Sequence, residues 1–375
     1  MSLHINRRDF VISAGVSVAA ANVTGNSTAL ASETSPQKTA LLPMKMVVGC
    51  QRGPTVPKLL DHFKRHGVTH ICGHPEIAAG TGRWSDTDLM RCRDLVEKHG
   101  LTLAMVALPF LSSSHIDSEG RGAIMLGQSP ERDRDIADIQ EMIAACGRVG
   151  IPAFKYNMSI LGVLRTKSLL GRGGSEYSTW HLDEAAPDKP LTRAGRVTEE
   201  LAWERITYYL ERIIPVCEEY KVRAACHPHD PGVPLAGYQG VYRVLGTIEG
   251  MKRFVSIKES PYHGLNFCLG TIAENLNDPA REIDEVIRYF GTRKKIFNIH
   301  FRNIVGRRNH FSEVFPDEGD MNMVRVAQTL RDVGFDGMVM PDHMPTHSDD
   351  PSGDQAFAYG YGYIKGILQT LASSV

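Results

Sequence analysis

Four side chains able to ligate a metal ion end four successive apolar runs of this 375-residue chain: His227, Cys268, His300 and Asp342. Singly, each has a plain structural explanation, since a buried cysteine is usually an inert small hydrophobe and a strand-end histidine usually a hydrogen-bonded support. Four at corresponding positions point instead to one divalent cation held by two imidazoles, a thiolate and a carboxylate. Thiolate and imidazole suit zinc, whereas a carboxylate and an oxygen-rich substrate suit manganese or magnesium, so ligand type leaves the metal open. The surrounding residues add candidate substrate contacts. Arg302 follows His300 by two residues and can pair bidentately with a carboxylate, with Asn303 beside it. His343 adjoins Asp342 and is a candidate proton-transfer group, while His229 sits in the rigid turn His227-Pro228-His229-Asp230-Pro231. Lys155 and Asn157, two residues apart, share one strand face.

Residues so far apart in sequence need a scaffold that gathers strand ends. Apolar runs at 45–50, 69–72, 101–108, 151–157, 222–227, 264–268, 295–300 and 337–342 alternate with helical stretches, among them 85–99, 131–149, 198–220, 279–290 and 321–333. The runs, rich in Val, Ile, Phe and Met, read as strands buried on both faces. Eight such units over residues 44–375 predict an α/β fold, a single-domain (β/α)8 TIM barrel with inserted loops. A doubly wound open sheet is the alternative, but Gly49-Cys50-Gln51-Arg52-Gly53 lacks the glycine spacing of a dinucleotide-binding turn. In a barrel the C-terminal strand ends meet at one mouth, where active sites of that fold lie. The stretch 159–188, containing Gly171-Arg172-Gly173-Gly174-Ser175, reads as an irregular loop over that mouth.

Composition narrows the function classes. Lys and Arg number 42 against 43 Asp and Glu, a formal charge of −1, which argues against a nucleic-acid binder. The chain contains no run of 18 apolar residues, so no membrane span is expected in the mature protein. Seven cysteines without a CxxC pair disfavour a disulfide framework or a zinc ribbon. Residues 1–43 read as an export address: Arg7-Arg8, a small-residue apolar run to about Ala21, then Ala29-Leu30-Ala31 as a cleavage site. That reading implies the twin-arginine export machinery as a partner and a periplasmic location, with a cytoplasmic one if the segment is only a basic tail. Twin-arginine substrates cross folded, so a metal would be in place before its thiol ligand met an oxidising compartment.

The motifs together resemble the mannonate dehydratase family. The matching pieces are His-Pro-x-Asp-Pro at 227–231, Cys268-Leu269-Gly270, His300-Phe301-Arg302-Asn303, Phe311-x-Glu313, Gly319-Asp320-x-Asn322-Met323, Pro341-Asp342-His343 and Lys365-Gly366, with Tyr156-Asn157 and Arg165-Thr166 earlier. The resemblance implies a xylose-isomerase-like barrel holding a divalent ion, usually manganese, with ferrous iron, magnesium and zinc as the other choices. Its ligands would be His227, Cys268, His300 and Asp342. The implied reaction is loss of water from D-mannonate, a sugar acid, to give 2-keto-3-deoxygluconate. Proton transfer falls to His343 and a downstream tyrosine, assigned to Tyr359 with Tyr361 as the alternative. A homo-oligomer is compatible with the family.

The chemistry suits the residues independently. Taking the proton beside a carboxylate builds negative charge there, which a cation and Arg302 would stabilise. The hydroxyl on the next carbon leaves once protonated, a task for an imidazole or a phenol. Two other readings remain. A sugar isomerase or epimerase on a similar barrel would usually hold its ion with several carboxylates; an exported, catalytically silent sugar-acid-binding homologue would keep the pocket without turnover.

Overall fold

A computed structural model describes residues 42–186 and 189–373. The expected export segment therefore lies outside the described residues, apart from its last two positions. Eight parallel strands close into a barrel: β1 (Val47–Cys50), β2 (His70–Gly73), β3 (Thr102–Ala107), β4 (Ala153–Asn157), β5 (Arg223–His227), β6 (His263–Cys268), β7 (Ile296–His300) and β8 (Met338–Met340). Each pairs with the next, and β8 returns to β1 through Val47 opposite Met338. A helix follows every strand: α1 (Pro57–Arg65), α2 (Asp86–Lys98), α3 (Glu131–Val149), α4 (Glu199–Tyr220), α5 (Ile248–Ser256), α6 (Pro279–Thr292), α7 (Met323–Asp332) and α8 (Asp354–Ala372). The xylose-isomerase-like barrel expected from the sequence is the fold observed.

Local signals explain most boundaries. Ser85 and Asp88 form a reciprocal capping box at the start of α2, and Thr198 caps α4 by accepting from the Leu201 amide. Gly150 ends α3 in the left-handed region at φ 82°, where a side chain would be strained. The main core lies between strands and helices. A smaller apolar cluster of Cys72, Met105, Ala153, Ala225, Phe297, Met338 and Met340, drawn from six strands, fills the barrel beneath its mouth.

Register sets the mouth. Asn157 lies opposite His227, and Cys268 opposite His300, so these strand ends are flush. Asp342 lies two residues beyond Met340 and keeps its inward parity. Strand β7 needs a correction to that parity, because Phe297 joins the inner cluster while His300, three residues on, must also face inward. A register shift against β6 between Ile296 and Asn298 supplies it, as a bulge re-aims the side chains that follow.

The stretch 159–188 differs from expectation. It contains a short hairpin, Leu169–Leu170 with Glu176–Tyr177, and a strand, Thr179–His181, paired with His310–Val314, which pairs in turn with Asn303–Arg307. The partner strands lie well over 100 residues downstream, so no local pattern could show the pairing.

Candidate metal centre and pocket

His227, Cys268, His300 and Asp342 each offer one ligand atom, and the four atoms lie within 4.8 Å of one another. The protonation of both rings follows from their other contacts. His227 donates from Nδ1 to the Pro228 carbonyl at 2.7 Å, which leaves Nε2 with its lone pair. His300 Nε2 lies 2.8 Å from Gln51 Oε1, and that oxygen also accepts from Lys155 Nζ at 2.6 Å. Donation from Nε2 to Gln51, with Asn266 Nδ2 also 3.1 Å from that nitrogen, leaves the His300 lone pair on Nδ1, which lies 3.2 Å from Asp342 Oδ2. His300 Nδ1 and Asp342 Oδ1 are both buried without a hydrogen-bond partner. Unmatched buried lone pairs are costly, and a cation shared by the four ligands would satisfy them, so the donor set fits a divalent metal.

Charge balance points the same way. Burial pushes the Cys268 thiol well above its ordinary value, although Arg302 works against it, so a thiolate here calls for a cation. The Asp342 carboxyl resists burial and is held well below the usual range by Arg302 and His300. His227 is pushed down to about 3 by desolvation, with the adjacent His300 ring adding to the effect, so the ring is neutral as a ligand must be.

Behind this floor lies a second cluster, around Arg302. Its side chain has no exposed surface. One terminal nitrogen meets Glu313 and His343 Nδ1. The other donates to Asp230 at 2.8 Å, Thr271 Oγ1 at 2.6 Å and Cys268 Sγ at 3.2 Å. Gly270 permits this packing, because a Cβ there would lie 2.2 Å from Arg302 Nε. Arg165 reinforces the cluster through Asp230 at 2.6 Å and through Glu313. Asp230, Glu313 and His343 also offer metal-capable atoms close together, but the Arg302 guanidinium ion-pairs with both carboxylates and lies against His343 Nδ1, so the cation there is the guanidinium.

The placement of the expected residues divides sharply. His343, Lys155 and Asn157 line one pocket with His227, His300 and Asp342. His343 donates from Nδ1 to Glu313 at 2.9 Å, and despite desolvation the Glu313 carboxylate raises its pKa. Arg302, expected to grip a substrate carboxylate, is instead engaged by its own protein's acids and does not line the pocket. Asn303 is likewise internal: Nδ2 donates to the Pro316 and Met321 carbonyls, and Oδ1 accepts the Ile304 and Met321 amides. His229 braces the backbone, with Nε2 donating to Met158 at 2.8 Å and Nδ1 accepting from Leu245, so both ring nitrogens are committed to the main chain.

Neither tyrosine reaches the pocket. Tyr359 is 39% exposed and packs against Phe315 and Tyr363. Tyr361 is buried in α8, its hydroxyl 2.9 Å from Cys50 Sγ. Helical geometry explains both: residues two apart on α8 point to different sides, one to solvent and one to the core. Sequence reasoning missed Gln51 and Arg243, both of which line the pocket. Gln51 directly follows the end of β1, at the same rim as the strand-end ligands, and an amide next to a strand end was the available signal.

Comparison with known proteins agrees with the geometry. Residues 180–374 match the family profile described as D-mannonate dehydratase (UxuA). A mannonate dehydratase from Thermotoga petrophila is 29% identical over 295 residues, covering 69% of this chain and 78% of that protein. The crystal structure of mannonate dehydratase from Streptococcus suis serotype2 superposes with a TM-score of 0.74 at 23% identity, covering 87% of this chain and 94% of the other. A xylose isomerase domain protein from Planctomyces limnophilus shares the fold at a TM-score of 0.56 and 12% identity, covering 88% and 99% of the two chains.

Proposed function

The chain belongs to the D-mannonate dehydratase family of sugar-acid hydro-lyases, and from that premise we propose that it converts D-mannonate to 2-keto-3-deoxygluconate with release of one water. The observation that carries this reading is the pocket floor, where four metal-competent atoms lie within 4.8 Å of one another beside His343. His227, Cys268, His300 and Asp342 would hold the divalent ion, with manganese the family's usual choice. When bound, that ion supplies positive charge against the charge that develops on the substrate carboxylate.

The chain's own residues do the rest. His343 holds or moves the proton, with Nδ1 tied to Glu313 and Nε2 left to exchange with substrate. Lys155 and Asn157 orient hydroxyls from the β4 wall. In the balance, C2 loses its proton, C3 loses its hydroxyl as water, and the resulting enol becomes the 2-keto acid.

Incubation of purified protein with Mn2+ and D-mannonate is expected to release the 2-keto-3-deoxy acid. His343→Asn should lower kcat by about 10²–10⁴-fold without changing metal content. Tight binding without product from D-mannonate or a panel of other aldonates would overturn this reading in favour of the silent binding homologue. Residues 1–43 are proposed to direct twin-arginine export, on the order of Arg7-Arg8, the apolar run and Ala29-Leu30-Ala31. Fractionation that finds the full-length chain only in the cytoplasm would refute that.

A further inference from the structure

With Arg302 turned inward, the pocket needs another group to recognise an acid. Two basic side chains of Lys or Arg type line it, Lys155 and Arg243. Lys155 donates to Gln51, whose oxygen it shares with His300, and its remaining donors face the β4 side of the pocket, where the proposed function has it orient hydroxyls. Arg243 stands on another wall, just ahead of α5, and is 4% exposed. Its Nη2 donates to the Gly162 carbonyl at 2.8 Å and to Ser159 Oγ at 3.1 Å, which anchors the guanidinium against the loop after β4. Its Nη1 is buried with no hydrogen-bond partner.

A buried charged donor left unmatched is expensive, and in a ligand pocket the economical explanation is a partner that arrives with the ligand. Desolvation lowers the Arg243 pKa to about 10, which still leaves a full positive charge at neutral pH. Anchored on one side and unmatched on the other, the planar fork suits a carboxylate oxygen.

We infer that Arg243 is the residue that recognises the carboxylate of the sugar acid, through its unmatched Nη1. The inference rests on the dehydratase reading for the ligand's identity, but not on turnover. It makes Arg243 a specificity determinant, separating aldonates from neutral polyols of the same length.

The test is equilibrium binding to the purified full chain of a six-carbon 3-deoxyaldonate, which has no 3-hydroxyl to lose, and of the corresponding neutral 3-deoxyalditol. The wild type should prefer the acid by about 10- to 100-fold, the range for a charge-assisted hydrogen bond in a desolvated site. Arg243→Gln should remove most of that preference, leaving the share a bound cation would contribute, with alditol affinity unchanged. Arg243→Lys, which keeps the charge and loses the fork, should retain only part of it and covers the case in which Arg243→Gln fails to fold. Full preference in either folded variant overturns the inference. Binding that follows this pattern without product from D-mannonate would instead refute the dehydratase reading and leave the role of Arg243 standing.

Discussion

The ligand floor and the Arg302 cluster are neighbours, with Arg302 Nη2 only 3.2 Å from Cys268 Sγ, yet they differ in hydrogen-bond bookkeeping. On the floor, His300 Nδ1 and Asp342 Oδ1 make no hydrogen bond among the described residues, and the imidazole nitrogen faces the Asp342 carboxylate at 3.2 Å. In the cluster, the terminal nitrogens of Arg302 meet Glu313, His343, Asp230, Thr271 and Cys268. Glu274 in that cluster also has both carboxylate oxygens buried without a hydrogen bond, but Arg302 Nη2 lies 3.3 Å from one of them, so a built-in cation answers those lone pairs, whereas the converging ligand atoms of the floor call for an outside one. Both regions are built from motif residues of the same charged and polar types, so only the contacts tell them apart.

The comparison can be broken from either side. Arg302→Met would leave Asp230 and Glu313 buried without their main cation, and the loss of one partner in such a pair costs about 3–5 kcal/mol. Urea unfolding of the metal-free protein should show that loss; a variant as stable as wild type would move Arg302 out of the supporting frame. The floor should behave oppositely, contributing little until a cation is added. Mn2+ at 100 times its Kd should stabilise chelator-treated protein by about 2.7 kcal/mol, and Cys268→Ser should lose most of that gain. An equal Mn2+-induced rise in Tm for Cys268→Ser would remove the sulfur from the ligand set. The smallest effects are expected at the tyrosines. Tyr359→Phe and Tyr361→Phe should each change kcat by less than about 3-fold, against the 10²-fold or more of a proton-transfer group. A larger loss at Tyr359 would require α8 to reach the pocket during turnover.

The elements were legible where local chemistry decides them. The cap at Ser85, the stop at Gly150 and the β-rich runs ending in His227, Cys268 and His300 all fall where the residues place them. Helix α8 was not, because Gly360, Gly362 and Gly366 depress helix propensity across it. It is helical because Tyr361, Ile364, Leu368 and Leu371 pack into the core. The sheet joining Thr179–His181 to His310–Val314 was hidden by sequence separation.

The candidate site divides along the same line. Ligand types and their strand-end positions are properties of the chain itself, since inward parity and the barrel rule follow from periodicity and element order. Which arginine faces the pocket is not. Arg302 and Arg243 have the same side chain, and their roles depend on whether carboxylates from distant loops close around the guanidinium. Residues 230, 274 and 313 surround Arg302, whereas Arg243 meets only a carbonyl and a hydroxyl. Hydrogen-bond satisfaction is a three-dimensional sum over groups far apart in sequence, and only the tertiary structure carries it out.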